Sequence, residues 1–190
     1  MRSLCLRLAA LVLCAPLLGP GTETAAAREP PKLGEFKAHA AGELKSRLSD
    51  FSGMPVPRYS SLRYDKVNGR AGPSLDYPVE WSYERQGLPV VIIRESQEWR
   101  KIRDPMGDEV WVNKSQLAAE RTAMTTRPGA IHRQPDRRSG VVASYLAGGV
   151  VALGRCELGW CVVEAEGREG WVGQADLWGA DDHGGLAGHP

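Results

Sequence analysis

Short runs of β-forming residues, each bounded by turn residues, dominate the middle of this chain. A β-branched run at residues 90–93 follows Gly87, an alternating stretch spans residues 99–103, and a Val-Trp-Val run spans residues 110–112. Each run can bury one face against a core and leave the other in water. With 22 Gly and 13 Pro in 190 residues, this pattern predicts an all-β fold of short strands and many turns.

The same pattern recurs further along the chain. The landmarks that recur at a shift of 60 or 61 residues are Gly87 and Gly148, Trp99 and Trp160, Ile102 and Val163, Trp111 and Trp171, and Leu117 and Leu177. A constant shift over several landmarks indicates an internal repeat. A module of about 60 residues has a thin core, so we expect the two copies to pack against each other.

The first copy opens with an Asn-x-Arg-x-Gly-Pro-Ser element and ends on Trp-Val at 111–112 and Leu117. The residues of the opening element, which we predict to be a structural turn, are Asn68, Arg70, Gly72, Pro73 and Ser74. On these residues the chain resembles the bacterial SH3-like domains, which implies two tandem small SH3-like β-barrels. The second copy lacks the opening element but has Glu-Gly-Trp-Val at 169–172, and the resemblance spans about residues 59–179.

Two positions of the first copy depart from the family pattern. Gly69 stands where the family usually has a β-former such as Val, and Val110 stands where it usually has Gly. We expect the first departure to loosen the opening strand and neither to threaten the fold.

The N-terminus is typical of a secretory signal peptide. Arg2 and Arg7 precede a short apolar run at 8–18, and an A-x-A pattern ends at Ala27. An uncleaved membrane anchor is the alternative, although the apolar run is shorter than the about 20 residues of a spanning helix. The predicted division is a signal peptide at 1–27, a linker at 28–56 that could include a short helix, SH3-like domains at 57–121 and 122–179, and a disordered tail at 180–190.

Export decides how the cysteines are interpreted. Cys156 and Cys161 remain after cleavage and flank a Gly-containing turn between two β-like runs. An even number of cysteines in an oxidising compartment predicts a disulfide between them. A redox thiol pair and a metal site are the alternatives, and the metal site would need His183 and His189 from the tail.

Charge and motifs give little support to other functions. The net charge is +1, with 24 basic and 23 acidic residues, so no long-range field favours nucleic acid or an anionic membrane. No phosphate loop, dinucleotide fingerprint or nucleophile motif is present. We therefore predict a protein that is not an enzyme and has no cofactor or metal, while noting that catalytic pairs need not be close in sequence.

Aromatic residues favour binding. Trp and Tyr gather at binding grooves, and the resemblance implies that aromatics beside the first long loop line a peptide groove. In the first copy we predict Asp76 and Tyr77 on that loop, with Trp99 and Trp81 beside it, as ligand-binding residues. Asp76 and Tyr77 have no sequence counterpart in the second copy. The alternative for the four repeated tryptophans at 99, 111, 160 and 171 is the core.

The resemblance implies an exported binding module, periplasmic or extracellular, that recognises peptidoglycan or its peptides and is not inserted in the membrane after cleavage. In this hypothesis the first copy binds the ligand and the second supports it. A scaffold or assembly protein that binds another envelope protein is the alternative, and an accessory of cell-wall hydrolysis is a third.

Overall fold

The structure is a computed structural model that describes residues 46–181. Within that range, sixteen short strands and two single-turn 3-10 helices follow one another. The strands are β1 (Arg47–Leu48), β2 (Pro55–Val56), β3 (Arg58–Leu62), β4 (Val67–Arg70), β5 (Val79–Tyr83), β6 (Pro89–Ser96), β7 (Trp99–Arg103), β8 (Glu109–Asn113), β9 (Leu117–Ala118), β10 (Thr122–Thr125), β11 (Gly129–His132), β12 (Val141–Tyr145), β13 (Val150–Glu157), β14 (Trp160–Ala165), β15 (Arg168–Gly173) and β16 (Leu177–Trp178). The 3-10 helices span Lys114–Gln116 and Gln174–Asp176.

Two seven-stranded antiparallel sheets share one topology. Their strand orders are β5-β4-β8-β7-β6-β3-β9 and β12-β11-β15-β14-β13-β10-β16. Adding seven to each strand number of the first order gives the second order, so the sequence repeat is also a structural repeat. The predicted all-β fold with two tandem copies is confirmed, as are the three strands predicted in the first copy, which are β6, β7 and β8.

Each sheet wraps around a core of its own. Every strand from β3 to β9 contributes to a single buried cluster, whose members are Leu62, Val67, Tyr83, Val90, Ile92, Ile102, Val110, Val112 and Leu117. On β8 the two valines point inward, while Trp111 between them is only half-buried. Trp171 lies in the same way between buried residues of β15. Branched aliphatic residues therefore make up most of this core, and these two tryptophans are only half-buried.

The two departures from the family pattern meet in space. Gly69 lies against Val110, and a Cβ atom added to Gly69 would be 2.8 Å from the Cβ of Val110. In the second copy the sizes are exchanged, since a Cβ on Gly170 would be 2.6 Å from Cγ2 of Ile131. Each copy thus has one small and one branched residue at this contact. Val110 occupies the space that Gly69 leaves, and the expected loosening of the opening strand stays a prediction.

The bulge in β4 is not caused by glycine either. The register shifts between Gly69 and Arg70 on β4, and it shifts in the same way between Ile131 and His132 on β11. A feature shared by both copies, with and without glycine, belongs to the fold.

The two strands of one β-hairpin, β6–β7 in the first copy and β13–β14 in the second, are joined by different interactions. Cys156 and Cys161 pair across β13 and β14 and form the predicted disulfide, with their Cα atoms 4.0 Å apart. At the same place in the first copy, Glu95 pairs with Arg100, and Oε1 of Glu95 lies 2.9 Å from Nε of Arg100. A buried ion pair therefore stands where the second copy has a covalent bond.

Residues 46–56, which the sequence assigned to the linker, form a two-stranded hairpin of β1 and β2. The hairpin is attached to the first domain through Glu95, whose side chain is 1% exposed and contacts the hydroxyl of Ser49 and the guanidinium of Arg58. Burial raises the pKa of Glu95, but hydrogen bonds from Ser49, Ser52 and Arg58 outweigh it and hold the pKa below its usual value. The predictions of a signal peptide and of the rest of the linker lie outside the described residues, as do residues 182–190 of the predicted tail. Ala180, which was assigned to that tail at 180–190, is instead 1% exposed and belongs to the core of the second domain.

The two domains contact each other, as the sequence predicts for such small modules. Tyr59 of the first packs edge-on against Trp178 of the second, with ring centroids 5.4 Å apart. The hydroxyl of Thr122 donates to the carbonyl of Gly87 at 2.6 Å, and Nη1 of Arg85 donates to the carbonyl of Gly148 at 2.7 Å. The repeated glycines thus lie at turns that face the other domain.

Candidate binding groove

Both domains carry the same long loop beside their opening strand. Residues 71–78 are closed by a hydrogen bond from the amide of Ala71 to the carbonyl of Pro78 at 3.1 Å. Residues 133–140 are closed by the equivalent bond from Arg133 to Gly140 at 2.9 Å. The second domain thus has a counterpart of the loop that carries Asp76 and Tyr77, although the sequence motif is absent.

The turns inside the two loops also correspond. The hydroxyl of Ser74 accepts from the amide of Asp76 at 3.0 Å, and Oδ1 of Asp136 accepts from the amide of Arg138 at 2.9 Å. Side chains of this type stabilise turns by bonding the amide two residues on. Arg138 therefore stands in the second domain where the first has Asp76.

A groove of about 250 Å³ lies beside the loop of the second domain. Three aromatic side chains line it, and the rings of His132 and Trp160 meet edge to face with centroids 5.8 Å apart. The third, Tyr145, lies across Gly129, where an added Cβ would be 2.6 Å from its Cζ atom. Gly129 therefore leaves the space in which the Tyr145 ring lies. The remaining lining residues are Arg127, Pro128, Ala130, Arg137, Gly173 and Asp176.

One carboxylate anchors the charged side of this groove. Asp176 ends the 3-10 helix after β15, and its side chain is 13% exposed. Its Oδ1 contacts the guanidinium of Arg127, while Nη2 of Arg137 lies 3.9 Å from its Oδ2. Burial raises the pKa of Tyr145, and the negative charge of Asp176 raises it further against the opposing effect of both arginines. The Tyr145 hydroxyl therefore stays protonated in the groove at neutral pH.

The first domain has different chemistry at the matching positions. Arg70 on β4 lies opposite Trp111 on β8 in the strand register, and His132 on β11 lies opposite Trp171 on β15 in the same way. Nη1 of Arg70 donates to the carbonyls of Leu75, at 3.2 Å, and of Tyr77, at 2.7 Å. Its guanidinium thus holds the loop, whereas His132 lines an open groove.

The other predicted turn residues of the first domain hold the same region. The side-chain oxygen of Asn68 accepts from the hydroxyl of Ser82 at 3.2 Å, which joins β4 to β5. Gly72 is buried under the ring of Tyr77, and a Cβ atom added to Gly72 would lie within 2.6 Å of atoms of that ring. Pro73, the next residue, is half-buried.

The predicted ligand-binding residues lie on the loop, on β5 and on β7 of the first domain. The Asp76 carboxylate accepts from the Ser74 hydroxyl at 3.0 Å, and Tyr77 is 46% exposed. Trp81, on β5, meets Tyr83 with centroids 6.4 Å apart, and Trp99 is half-buried at the start of β7. Within residues 46–181 no ring contact joins Tyr77, Trp81 and Trp99. The structure therefore places Tyr77 and Trp81 at the surface of the first domain, with Trp99 half-buried, and the ligand-binding role of these residues stays a prediction.

The sequence reasoning did not single out His132, Tyr145, Arg137 or Asp176. A signal was available, because Tyr145 falls on Tyr83 at a shift of 62 residues, close to the shifts of 61 and 60 that relate the tryptophans. Following that shift would have aligned the two loops without any shared motif.

Neither a bilayer-spanning helix nor a metal cluster is found in the described part of the chain. No helix there is long and apolar enough to cross a membrane. Within residues 46–181 no three His, Cys, Asp or Glu side chains are grouped so that they could hold a metal ion.

Comparison with known families decides what these modules are. The model of the bacterial SH3 domain matches the chain twice, over residues 63–118 and 126–179. The chain belongs to the bacterial SH3 domain family. The two matches fall on the two seven-stranded sheets, so each bacterial SH3 domain is one structural copy.

Other comparisons add little. A search of curated proteins finds no match to this chain. Among solved structures, the chain is similar to NlpC2 from Trichomonas vaginalis, at 15% identity over 64% of this chain and 48% of that one, with a TM-score of 0.30. It is also similar to NlpC1 from the same organism, at 17% identity over 68% and 48%, with a TM-score of 0.30. The chain thus spans about half the length of these two proteins.

Proposed function

We propose that this protein is an exported, non-enzymatic binding protein that recognises the cell wall, with peptidoglycan or its peptides as the ligand. Bacterial SH3 domains are typically cell-wall binding modules. A disulfide fits a periplasmic or extracellular location, because such bonds persist in oxidising compartments. The protein works there as a free module that is not inserted in the membrane.

The observation that carries the proposal is the groove of the second domain. Aromatic walls supply contact area at low entropic cost, and a few charged groups fix the orientation of a ligand. Its volume of about 250 Å³ is below the about 300–1,000 Å³ of drug-sized pockets. A short peptide segment suits such a groove. The surface around Asp76, Tyr77, Trp81 and Trp99 on the first domain remains a proposed second contact.

The test is co-sedimentation of residues 28–190 with purified peptidoglycan across a salt series. We expect saturable binding that Trp160→Ala weakens by tenfold or more, as loss of an aromatic anchor does. Leu158→Ala is the matched control, since Leu158 is 99% exposed and does not line the groove. Tyr77→Ala tests the surface of the first domain.

Absence of binding in every condition would contradict the proposal. A fall in the turbidity of the peptidoglycan suspension would contradict its non-enzymatic part. Weakening by Tyr77→Ala with no effect of Trp160→Ala would move the ligand from the second domain to the first.

A scaffold protein that binds another envelope protein is the second candidate, and one observation favours it. β5 is the edge strand of the first sheet, and Val79 and Trp81 on it are 46% and 37% exposed. An exposed edge strand can pair with a strand of another protein. Retention by envelope proteins but not by protein-free peptidoglycan, with loss on Val79→Lys, would favour this candidate.

A further inference from the structure

The rim of the second-domain groove is basic, and the matching rim of the first domain is not. We call four arginines the basic rim: Arg127 and Arg137 line the groove, and Arg133 and Arg138 lie on the loop beside it. The residues at the matching positions of the first domain are Asp65, Ala71, Leu75 and Asp76. The two loops share length and turn geometry, so the difference lies in the side chains alone.

The acidic residues beside the basic rim are already engaged. Asp176 contacts Arg127, and Oδ1 of Asp136 accepts the backbone amide of Arg138. Arg137 is 70% exposed, lines the groove, and makes no hydrogen bond within the described residues, since Asp176 lies 3.9 Å away. The groove is lined by two arginines, Arg127 and Arg137, and one carboxylate, Asp176, so its lining has a net positive charge.

We propose that this groove binds the carboxylate of a peptide, with Arg137 as the direct partner. A guanidinium is planar and offers two parallel donors to a carboxylate, a geometry that suits recognition of a peptide terminus. The rings of Trp160, Tyr145 and His132 then pack against the apolar part of the same peptide. This inference rests on the proposed function and names the chemical feature of the wall peptide that is recognised.

The test compares two probes on the full mature chain, residues 28–190. The first is acetyl-Lys(acetyl)-D-Ala-D-Ala with a free terminal carboxylate, and the second is the same peptide with a terminal amide. Binding is measured by calorimetry at low and at high salt. We expect the acid to bind at least tenfold more tightly than the amide, because loss of a charge-assisted hydrogen bond has an effect of that size.

Variants separate a direct partner from a general effect of charge. Arg137→Gln should weaken binding of the acid about tenfold and leave binding of the amide unchanged. Arg155→Gln is the matched control, because Arg155 lies on the same domain, is also 70% exposed and does not line the groove. Asp176→Asn should preserve binding of the acid, since it removes a negative charge from the site.

Four outcomes would overturn the inference. Equal binding of acid and amide, in a protein that still sediments with peptidoglycan, would leave the proposed function standing and refute the carboxylate. Loss of binding on Asp176→Asn but not on Arg137→Gln would show that the groove takes an amine. Binding of inorganic phosphate that depends on Arg137, without binding of the peptide acid, would assign the site to a phosphate. Failure of peptidoglycan binding itself would refute the proposed function as well.

Discussion

The contact between Gly69 and Val110 predicts a large energetic coupling between two residues that are 41 positions apart in sequence. The perturbation is an exchange in two steps, Gly69→Val and Val110→Gly, followed by both together. The double variant keeps the number of side-chain carbons and moves them from β8 to β4, which is the arrangement that the second domain has with Ile131 and Gly170.

The magnitudes follow from the packing. A side chain on Gly69 would clash with Val110, whose Cβ lies 2.8 Å from the added Cβ, and overpacking of this kind costs about 1–3 kcal/mol. Val110 is 4% exposed; removing its three carbons loses roughly 2.4 kcal/mol of burial, and glycine in a strand costs about 0.5–1 kcal/mol more. Gly69→Val should therefore lower the free energy of unfolding by about 2 kcal/mol, and Val110→Gly should lower it by about 3 kcal/mol. The double variant should lower it by only about 2 kcal/mol. Because independent losses would add to about 5 kcal/mol, the coupling between the two sites is about 3 kcal/mol.

The assay is urea unfolding of residues 28–190 followed by tryptophan fluorescence, with the free energy of unfolding of the first domain compared across the four proteins. The mirrored pair in the second domain, Ile131→Gly and Gly170→Val, is the control and should show coupling of the same sign. Losses that simply add in the double variant would refute the reasoning, because independent sites add to within about 0.5 kcal/mol.

Three further predictions concern the disulfide of the second domain and two polar interactions of the first, those of Glu95 and of Arg70. Removing the disulfide with Cys156→Ser and Cys161→Ser should cost the second domain about 2 kcal/mol for so short a loop; reductant should have the same effect on the wild type in urea unfolding and none on the variant. Because the pKa of Glu95 is lower in the folded protein than in the unfolded chain, the stabilisation by Glu95 is fully present above its unfolded pKa of about 4.3 and declines as the pH falls through the lower folded value. In a series of unfolding measurements at different pH, Glu95→Gln should therefore weaken the fall in stability at acid pH. Arg70→Ala should free the carbonyls of Leu75 and Tyr77 and speed amide hydrogen exchange at Ala71, whereas exchange at Arg133 should not change.

The elements that the sequence predicts well are those with local signals. The three strands at 90–93, 99–103 and 110–112 have the β-branched or alternating residues that a half-buried strand needs, and Cys156 and Cys161 are close enough in sequence to suggest their bond. Repetition of landmarks then predicts the second domain. Each of these inferences needs only neighbouring residues and a constant shift.

The features that escaped prediction depend on contacts between distant positions. Gly69 is unfavourable in isolation and is explained only by Val110, which approaches it from another strand. Glu95 has no local signal for a buried carboxylate, because its partners come from the turn after β1 (Ser49), from β3 (Arg58) and from β7 (Arg100).

The groove was missed for a related reason. The motif that starts at Asn68 directed attention to the first loop, whereas the second loop keeps the same fold with different residues. Loop length and turn geometry, rather than residue identity, are what the two domains share.

The exchanged sizes at the Gly69–Val110 and Ile131–Gly170 contacts also bear on how two similar modules avoid confusion while they fold. Tandem copies of one fold are prone to exchange equivalent strands. A hybrid that joined β4 to β15 would set Gly69 against Gly170 and leave a void, and one that joined β11 to β8 would force Ile131 into Val110. Each strand therefore fits the neighbours of its own sheet, and the sizes of these four side chains favour the correct pairing while the chain folds.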